Sequence, residues 1–127
     1  MKRNVTLFPR NNYATITGNT QKYTHEPGLY DVLGQAKTIR FQIFVGKKST
    51  RAQVDLKIYE SADPETAPRE TGNLVTTITR AILGGHFVTV VGPLCGRVEV
   101  VLNISDTAGP APQDMDLEVF ATLIIEE

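Results

Sequence analysis

The side chains that could carry out chemistry are few and scattered along this chain of 127 residues. There are two histidines, His25 and His86, and a single cysteine, Cys95. Nucleophilic catalysis needs a Ser, Thr or Cys beside an oriented base, and no Gly-x-Ser-x-Gly motif is present. The Glu-Pro-Gly sequence after His25 predicts a solvated turn residue, and His86 is predicted to begin a strand. The sequence therefore predicts a protein that is not an enzyme.

Metal binding through nitrogen or sulfur needs clustered ligands, which two distant histidines and one cysteine do not provide. Calcium takes only oxygen ligands, so it remains an alternative. Because Asp116 and Glu118 fall on the polar face of a strand and no Asp-x-Asp-x-Asp-Gly loop is present, we predict neither a metal nor another cofactor. The acidic residues that leave calcium open surround two predicted loops: Asp106, Asp114, Asp116 and Glu118 around one, and Asp63 and Glu65 in the other.

The charge balance limits the classes of partner. Thirteen basic and fourteen acidic residues leave a net charge of −1, which offers no broad attraction to phosphate backbones or anionic lipids. No stretch approaches the ~20 apolar residues that span a bilayer, and no signal-peptide apolar region follows the N-terminus. The lone Cys95 cannot form an intrachain disulfide. We therefore expect no nucleic-acid partner, no membrane partner and a cytoplasmic protein.

The elements that position these residues are predicted to be strands. Four segments alternate apolar and polar residues with a period of two, each long enough for a full strand. No stretch keeps apolar residues at helical spacing for three turns. With shorter β-prone pieces, the count is about eight strands, which is typical of an antiparallel sandwich or barrel. The four alternating segments are 36–46, 52–60, 96–105 and 114–125.

The connections favour one architecture. The Gly-Lys-Lys-Ser turn after 36–46 predicts a hairpin with 52–60, and Gly84-Gly85 predicts a second hairpin between 74–83 and 85–91. The stretch 61–73 contains two prolines and predicts an exposed loop. Because tight turns alternate with long loops, we predict an all-β fold, an antiparallel, jelly-roll-like β-sandwich without substantial helix. An up-and-down barrel is the alternative.

The chain is predicted to form one β-sandwich domain over residues 29–127. Residues 1–28 are polar and interrupted by turn residues, so they are predicted to form an N-terminal arm or an edge strand. The short segment 28–34 lies between glycines and is predicted to be a strand.

Several large apolar side chains fall where the strand pattern predicts contact with water, whereas Phe41 and Phe87 fit the apolar faces. Such residues are normal when they occur singly, or when a loop or the N-terminal arm covers them. If several share one sheet face, they form a patch that a monomer does not leave bare. We therefore predict contact with other protein subunits, and a homo-oligomer. The candidate interface residues are Phe8, Tyr13, Phe44, Tyr59, Val101, Phe120 and Ile124.

Three runs of sequence carry a family resemblance: Ile-Tyr-Glu-Ser-Ala-Asp at 58–63, the threonine-rich 76–79, and Gly-Pro-Leu-Cys-Gly-Arg-Val-Glu-Val-Val at 92–101. With them the stretch 39–104, about half of the chain, resembles small β-sandwich accessory proteins of tailed-bacteriophage virions, such as head decoration (cement) or tail-associated proteins. The resemblance implies a non-enzymatic structural protein, an oligomer on a capsid or tail lattice, and location in the virion after synthesis in the host cytoplasm.

A carbohydrate-binding or receptor-binding β-sandwich module is the alternative. Such modules use exposed aromatic side chains to contact sugars, and this chain has no tryptophan. The tyrosines that remain as candidates are Tyr13, Tyr23, Tyr30 and Tyr59.

Overall fold

A computed structural model describes residues 2–14, 21–48, 52–80, 84–91, 96–106 and 114–125. These segments contain two short helices, α1 (Leu29–Gly34) and α2 (Pro68–Thr71). In the described segments, no helix is long and apolar enough to cross a membrane. The strands are β1 (Lys2–Ala14), β2 (Gln21–Thr24), β3 (Thr38–Lys48), β4 (Ala52–Ser61), β5 (Asn73–Arg80), β6 (Gly84–Val91), β7 (Arg97–Asp106) and β8 (Asp114–Ile124).

The strands form two antiparallel four-stranded sheets. Sheet 1 has the order β1-β8-β3-β6, and sheet 2 has the order β2-β7-β4-β5. Within them β1 pairs with β8, β2 with β7, β3 with β6, and β4 with β5. Each strand thus pairs with the strand at the matching position from the other end of the chain, as in a jelly roll. The predicted antiparallel jelly-roll-like sandwich of about eight strands without substantial helix is confirmed, and the up-and-down barrel is excluded.

Both predicted hairpins are wrong. β3 pairs with β6 and β8 in sheet 1, whereas β4 pairs with β5 and β7 in sheet 2. Likewise β5 belongs to sheet 2 and β6 to sheet 1. The chain therefore crosses between sheets at the two places where a hairpin was predicted. Alternation along a strand determines which of its faces is buried, but not which strand lies beside it.

The core lies between the inward faces of the two sheets. In each of the four alternating segments the apolar side chains that the structure describes are almost completely buried, apart from the half-buried Ile125, as the period of two predicts. Full burial of such a side chain contributes about 1.5–3 kcal/mol. From sheet 1 the core receives Ile39, Phe41, Ile43, Val45, Leu117, Val119, Ala121 and Leu123, and from sheet 2 Val54, Leu56, Ile58, Val98, Val100, Leu102 and Ile104.

The segment 28–34 is not the predicted strand; residues Leu29–Gly34 form α1. The amides of Leu29 and Tyr30 donate to the carbonyls of Glu26 and Pro27, which starts the turn before the helix. Tyr30 and Leu33, three residues apart, both bury their side chains. Helix α1 packs mainly on β7, and a Cβ at Gly34 would lie 1.8 Å from the carbonyl oxygen of Gly96. Only a glycine permits this close approach of helix and strand.

The loop between β4 and β5 is ordered by local polar contacts. The carboxylate of Asp63 accepts hydrogen bonds from the Glu65 amide (2.9 Å) and the Thr66 hydroxyl (2.8 Å), and these bonds lower the pKa of Asp63. The guanidinium of Arg97 donates to the carbonyls of Asp63 and Thr66. Pro68 then opens α2 at a position where its missing amide hydrogen costs nothing.

N-terminal residues supply an edge strand to each sheet. Among the described strands, β1 pairs with β8 alone at the edge of sheet 1, and β2 pairs with β7 alone at the edge of sheet 2. A groove of about 540 Å³ lies between these two edges.

Candidate functional site

Three of the candidate interface residues share one surface, the outer face of sheet 1. Phe44 of β3 and Phe120 and Ile124 of β8 alternate with buried core residues, so they project away from the core. Ile124 is 39% exposed, and Phe44 and Phe120 are half-buried. The sequence hypothesis required several such residues on one sheet face, and these three meet that condition.

Phe87 joins them, although sequence analysis placed it on an apolar, inward face. It is 55% exposed. In β6 the buried Val90 and half-buried Val88 alternate with the exposed Thr89 and Phe87. The signal that identifies Phe87 is therefore its phase with Thr89. We call Phe44, Phe87, Phe120 and Ile124 the aromatic face.

Strand register brings two of these rings to either side of one amide. Gln42 of β3 lies opposite Phe120 of β8 and, on its other side, opposite Phe87 of β6. The neighbouring row places Phe44 between Glu118 and Gly85. A Cβ at Gly85 would meet nothing within 4 Å, so the flank of Phe44 on the β6 side is open. The face is thus an uneven apolar surface with a recess beside Phe44.

Two arginines lie against the rings. The guanidinium carbon of Arg40 is 4.7 Å from the ring centroid of Phe87, and that of Arg10 is 5.2 Å from the centroid of Phe44. Such cation–π contacts are worth about 0.5–1 kcal/mol at exposed positions. Arg10 also pairs with Asp116 at 3.2 Å, and this hydrogen bond and charge raise the pKa of Arg10. The rings therefore lie beside charges of both signs.

A shallow polar recess adjoins the aromatic face where β1 meets β8. Its volume is about 330 Å³, and Asn4, Gln42, Phe120 and Thr122 are among the residues that line it. The Thr122 hydroxyl donates to Oδ1 of Asn4 at 2.8 Å. This side of the face exposes amide and hydroxyl groups.

The other candidate residues lie elsewhere. Tyr59 and Val101 are on the outer face of sheet 2, and Val101 is only 3% exposed. Phe8 is 3% exposed and packs in the core with its ring 6.2 Å from that of His25. Phe8 and Val101 are therefore buried rather than outward apolar residues. The backbone of Tyr13 pairs with Met115; its side chain and Cys95 lie outside the described residues.

The ring of His25 is not the predicted solvated turn residue, because it is 5% exposed. Its Nδ1 is 3.0 Å from the carbonyl oxygen of Glu26, and its Nε2 accepts a hydrogen bond from the amide of Val100 at 3.1 Å. Nδ1 must therefore carry the proton of a neutral ring. Burial lowers the pKa of His25 and so favours this neutral form. Both nitrogens are engaged in structural hydrogen bonds.

Glu99 alternates along β7 with the buried Val98 and Val100, a pattern that predicts a side chain facing water, yet it has no exposed surface. Its carboxylate accepts hydrogen bonds from the Tyr30 hydroxyl, the Arg69 amide and the Arg69 guanidinium. Helices α1 and α2 cover it, which the alternation of β7 alone does not reveal. Loss of one of these donors would leave an uncompensated buried charge, which is strongly destabilising.

No three His, Cys, Asp or Glu side chains lie close enough to hold a metal ion within the ranges that the structure describes. Of the acidic residues considered for calcium, Asp116 pairs with Arg10, and Asp63 accepts hydrogen bonds from its own loop. These two carboxylates have structural roles.

No family model matches the sequence, and no curated protein matches it. A structure of infectious bursal disease virus, Gx strain, is similar with a TM-score of 0.52 at 10% identity, over 98% of this chain and 32% of that chain. A structure of Bacillus endospore appendages, described as disulfide-linked pili, has a TM-score of 0.47 at 12% identity, over 99% of this chain and 88% of the other. An empty particle of cowpea mosaic virus gives 0.45 at 12% identity, with 98% and 88% covered. At these identities, the similarity to the bursal disease virus structure shows a common fold, the jelly-roll β-sandwich.

Proposed function

We propose that this chain is a non-enzymatic structural subunit that binds other protein subunits through the aromatic face, within a large assembly. The observation that carries the proposal is the placement of Phe44, Phe87, Phe120 and Ile124 on one sheet face, two of them more than a third exposed. Soluble monomers rarely expose contiguous apolar patches of large side chains. Burial against a partner removes this surface from water.

The composition of the face suits a protein partner. Aromatic residues and arginine are enriched at the centres of protein interfaces, whereas lysine and acidic residues are depleted there. Here the rings of Phe87 and Phe44 lie beside Arg40 and Arg10, and Asp116 and Glu118 lie towards the β1–β8 side. This arrangement supports an apolar centre with a charged rim.

The first partner that we propose is a second copy of the chain. A two-fold interface brings the same surface of both copies together, so it must be self-complementary. The face carries cations in Arg10 and Arg40 and anions in Asp116 and Glu118. A two-fold axis through the aromatic face can therefore bring the arginines of one copy towards the carboxylates of the other.

As to the assembly, we propose a bacteriophage virion, with the chain as a capsid decoration (cement) or tail accessory protein. The sequence resemblance described above supports this proposal, and the jelly-roll fold is compatible with it. The virion is then the location of the protein after its synthesis in the host cytoplasm.

The test is the association state of three variants. Phe87→Ser and Phe120→Ser each replace an aromatic-face ring, whereas Leu74→Ser is the matched control on β5, where Leu74 is 49% exposed at the far edge of sheet 2. We expect light scattering after size exclusion to show an oligomer for the parent chain and for Leu74→Ser. Each Phe variant should weaken association at least ~10-fold, because each removes an aromatic contact from the interface.

Circular dichroism confirms that each variant keeps its strand content. A parent chain that stays monomeric up to about millimolar concentration, the upper range of weak association, would contradict self-association. Equal effects of Leu74→Ser and Phe87→Ser would show that the aromatic face is not the interface.

A further inference from the structure

A second surface lies on the outer face of sheet 2, on the opposite side of the sandwich from the aromatic face. A pocket of about 250 Å³ is situated where α2 lies beside β7 and β4. Asn103 and Val101 of β7 form its floor, since each is 3% exposed. Strand register places Lys22 of β2 beside Asn103 and Lys57 of β4 beside Val101.

The side-chain amide of Asn103 lacks a hydrogen-bond partner for its oxygen within the segments that the structure describes. Its Oδ1 is buried and has no hydrogen-bond partner among the described residues. Buried polar side-chain atoms in native proteins nearly always have a partner, so an unpaired acceptor that lines a pocket requires an explanation. Because Oδ1 itself has almost no accessible surface, a ligand contacts it only after the Asn103 side chain turns towards the pocket, and a hydroxyl that then donates to Oδ1 supplies the missing partner.

The walls of the pocket are cationic. Lys22, Lys57 and Arg69 line it together with the carboxylate of Glu70. Asp55 of β4 lies opposite Asn103 beside the pocket, and its carboxylate accepts a hydrogen bond from the Thr79 hydroxyl. In the described part of the chain, neither lysine forms an ion pair. Arg69 is held in place because its backbone amide donates to Oε1 of Glu99 at 3.1 Å and its guanidinium donates to Oε2 of the same carboxylate. Its side chain is nevertheless 40% exposed, so part of the guanidinium remains accessible.

We propose that this pocket binds a small hydroxylated carboxylate of monosaccharide size, a hexuronate being the representative of this class. Its carboxylate is bound by Lys22, Lys57 and Arg69, and one of its hydroxyls donates to Oδ1 of Asn103. The C–H face of the sugar ring packs against Tyr59 and Val101. The volume is below the roughly 300–1,000 Å³ of pockets for drug-sized ligands, which sets the size of the ligand.

The chemistry separates this ligand from simpler ones. A sulfate ion has no hydrogen to donate to Asn103, and it gains nothing from the apolar floor at Val101. A neutral hexose satisfies Asn103 but not the cations. The proposed ligand is the class that uses all three features of the pocket.

The experiment is a calorimetric or NMR titration of the full chain with galacturonate and glucuronate, with glucose and sulfate as comparison ligands. We expect binding of a uronate that is at least ~10-fold tighter than that of glucose or sulfate and that weakens as NaCl is added, since the pairing is partly exposed. Absence of uronate binding at about 10 mM, a level that detects even very weak affinity, would overturn the proposal, and so would equal binding of glucose.

Variants locate the site. Asn103→Ala and Lys57→Gln should each weaken uronate binding at least ~5-fold, a small loss for one charged or buried hydrogen bond. Lys2→Gln on β1 is the matched control and should leave binding unchanged. If both pocket variants bind the uronate as tightly as the parent chain does, the assignment is overturned. Circular dichroism checks that each variant is folded. If Asn103→Ala does not fold, Tyr59→Ala takes its place.

The same titration distinguishes the two sources of a uronate, a free acid or the end of an acidic polysaccharide. Digalacturonate is compared with the monomer. Binding of the monomer supports the proposal in either case, and tighter binding of the disaccharide identifies a polysaccharide end. Because Phe87→Ser and Phe120→Ser lie on the other sheet, they should not affect this binding, so the inference and the proposed assembly function fail or succeed separately.

Discussion

The hydroxyl of Tyr30 donates a 2.8 Å hydrogen bond to Oε2 of Glu99, a carboxylate with no exposed surface. Tyr30 belongs to α1 and Glu99 to β7, and Arg69 of α2 donates to the same carboxylate. One buried carboxylate thus holds both short helices against sheet 2. Burial and the bond to Glu99 raise the pKa of Tyr30, so its hydroxyl keeps the donor hydrogen.

Tyr30→Phe removes this donor while it keeps the ring. We expect the free energy of unfolding to fall by about 1.5–3 kcal/mol, the usual value for a hydrogen bond to a charged group. Urea denaturation followed by circular dichroism measures it. Tyr59→Phe, which alters a half-buried ring on the same sheet, is the control and should change stability by less than about 0.5 kcal/mol. Equal effects of the two changes would contradict the structural role of Glu99.

His25 predicts a dependence of stability on pH. Burial lowers its pKa below the ordinary 6.5, so the unfolded chain takes up a proton at a higher pH than the folded chain does. The stabilisation is therefore complete above 6.5 and is lost progressively as the pH falls towards the folded pKa. His25→Gln, whose amide can replace both hydrogen bonds, should flatten this part of the profile.

The measurement is the urea midpoint between about pH 7.5 and about pH 5, the range in which histidine titrates. Other groups also titrate there, so the difference between the parent and the variant is the informative quantity. His86→Gln serves as the matched control, since His86 is only half-buried. If the parent and His25→Gln lose stability in parallel, His25 does not cause the loss.

Gly34 predicts a steric effect. A Cβ there would lie 1.8 Å from the carbonyl oxygen of Gly96, so Gly34→Ala must push α1 away from β7. We expect a loss of about 1–3 kcal/mol or more in thermal or urea unfolding. Gly85→Ala, where nothing lies within 4 Å, should change stability by about 0.5 kcal/mol at most. A tolerated Gly34→Ala would disprove the close contact of α1 and β7.

Arg97 predicts how the loop between β4 and β5 responds to protease. Its guanidinium donates to two loop carbonyls, those of Asp63 and Thr66, and lies 5.1 Å from the ring centroid of Tyr30. Arg97→Met removes these donors, so the loop opens more often and cleavage after Glu65 by a glutamate-specific protease should become several-fold faster. Arg40→Met on sheet 1 is the control. Unchanged cleavage in Arg97→Met would show that other contacts order the loop.

The part of the core that the four alternating segments supply was predictable residue by residue. Ile39, Phe41 and Ile43 alternate with polar residues, and all three are fully buried, because a strand directs successive side chains to opposite faces whatever its neighbours are. The same local rule located Phe44, Phe120 and Ile124 on outward faces. It failed at Phe87, which it assigned inward, because the segment 85–91 is short and its two polar residues, His86 and Thr89, lie on opposite phases of the strand.

Which strands pair with each other, and which elements cover each sheet face, was not predictable from the sequence. Gly-rich turns predicted two hairpins, yet β3 and β4 lie in different sheets, since strand pairing depends on contacts between distant parts of the chain. Glu99 alternates as a water-facing residue, and only the helices packed over it make it buried. Asn103, Val101 and Tyr59 belong to one pocket for the same reason, because α2 comes from a loop about thirty residues away.

From sequence alone, this protein is determined to be an all-β protein with a defined inward set of side chains on its four alternating segments, because a period of two is a local property of the chain. The tertiary structure decided what the outer faces carry. It placed the rings of Phe120 and Phe87 on either side of Gln42 on sheet 1, and cations around Asn103 on sheet 2. Both arrangements depend on the register between strands distant in sequence, and register arises only when the whole sandwich packs.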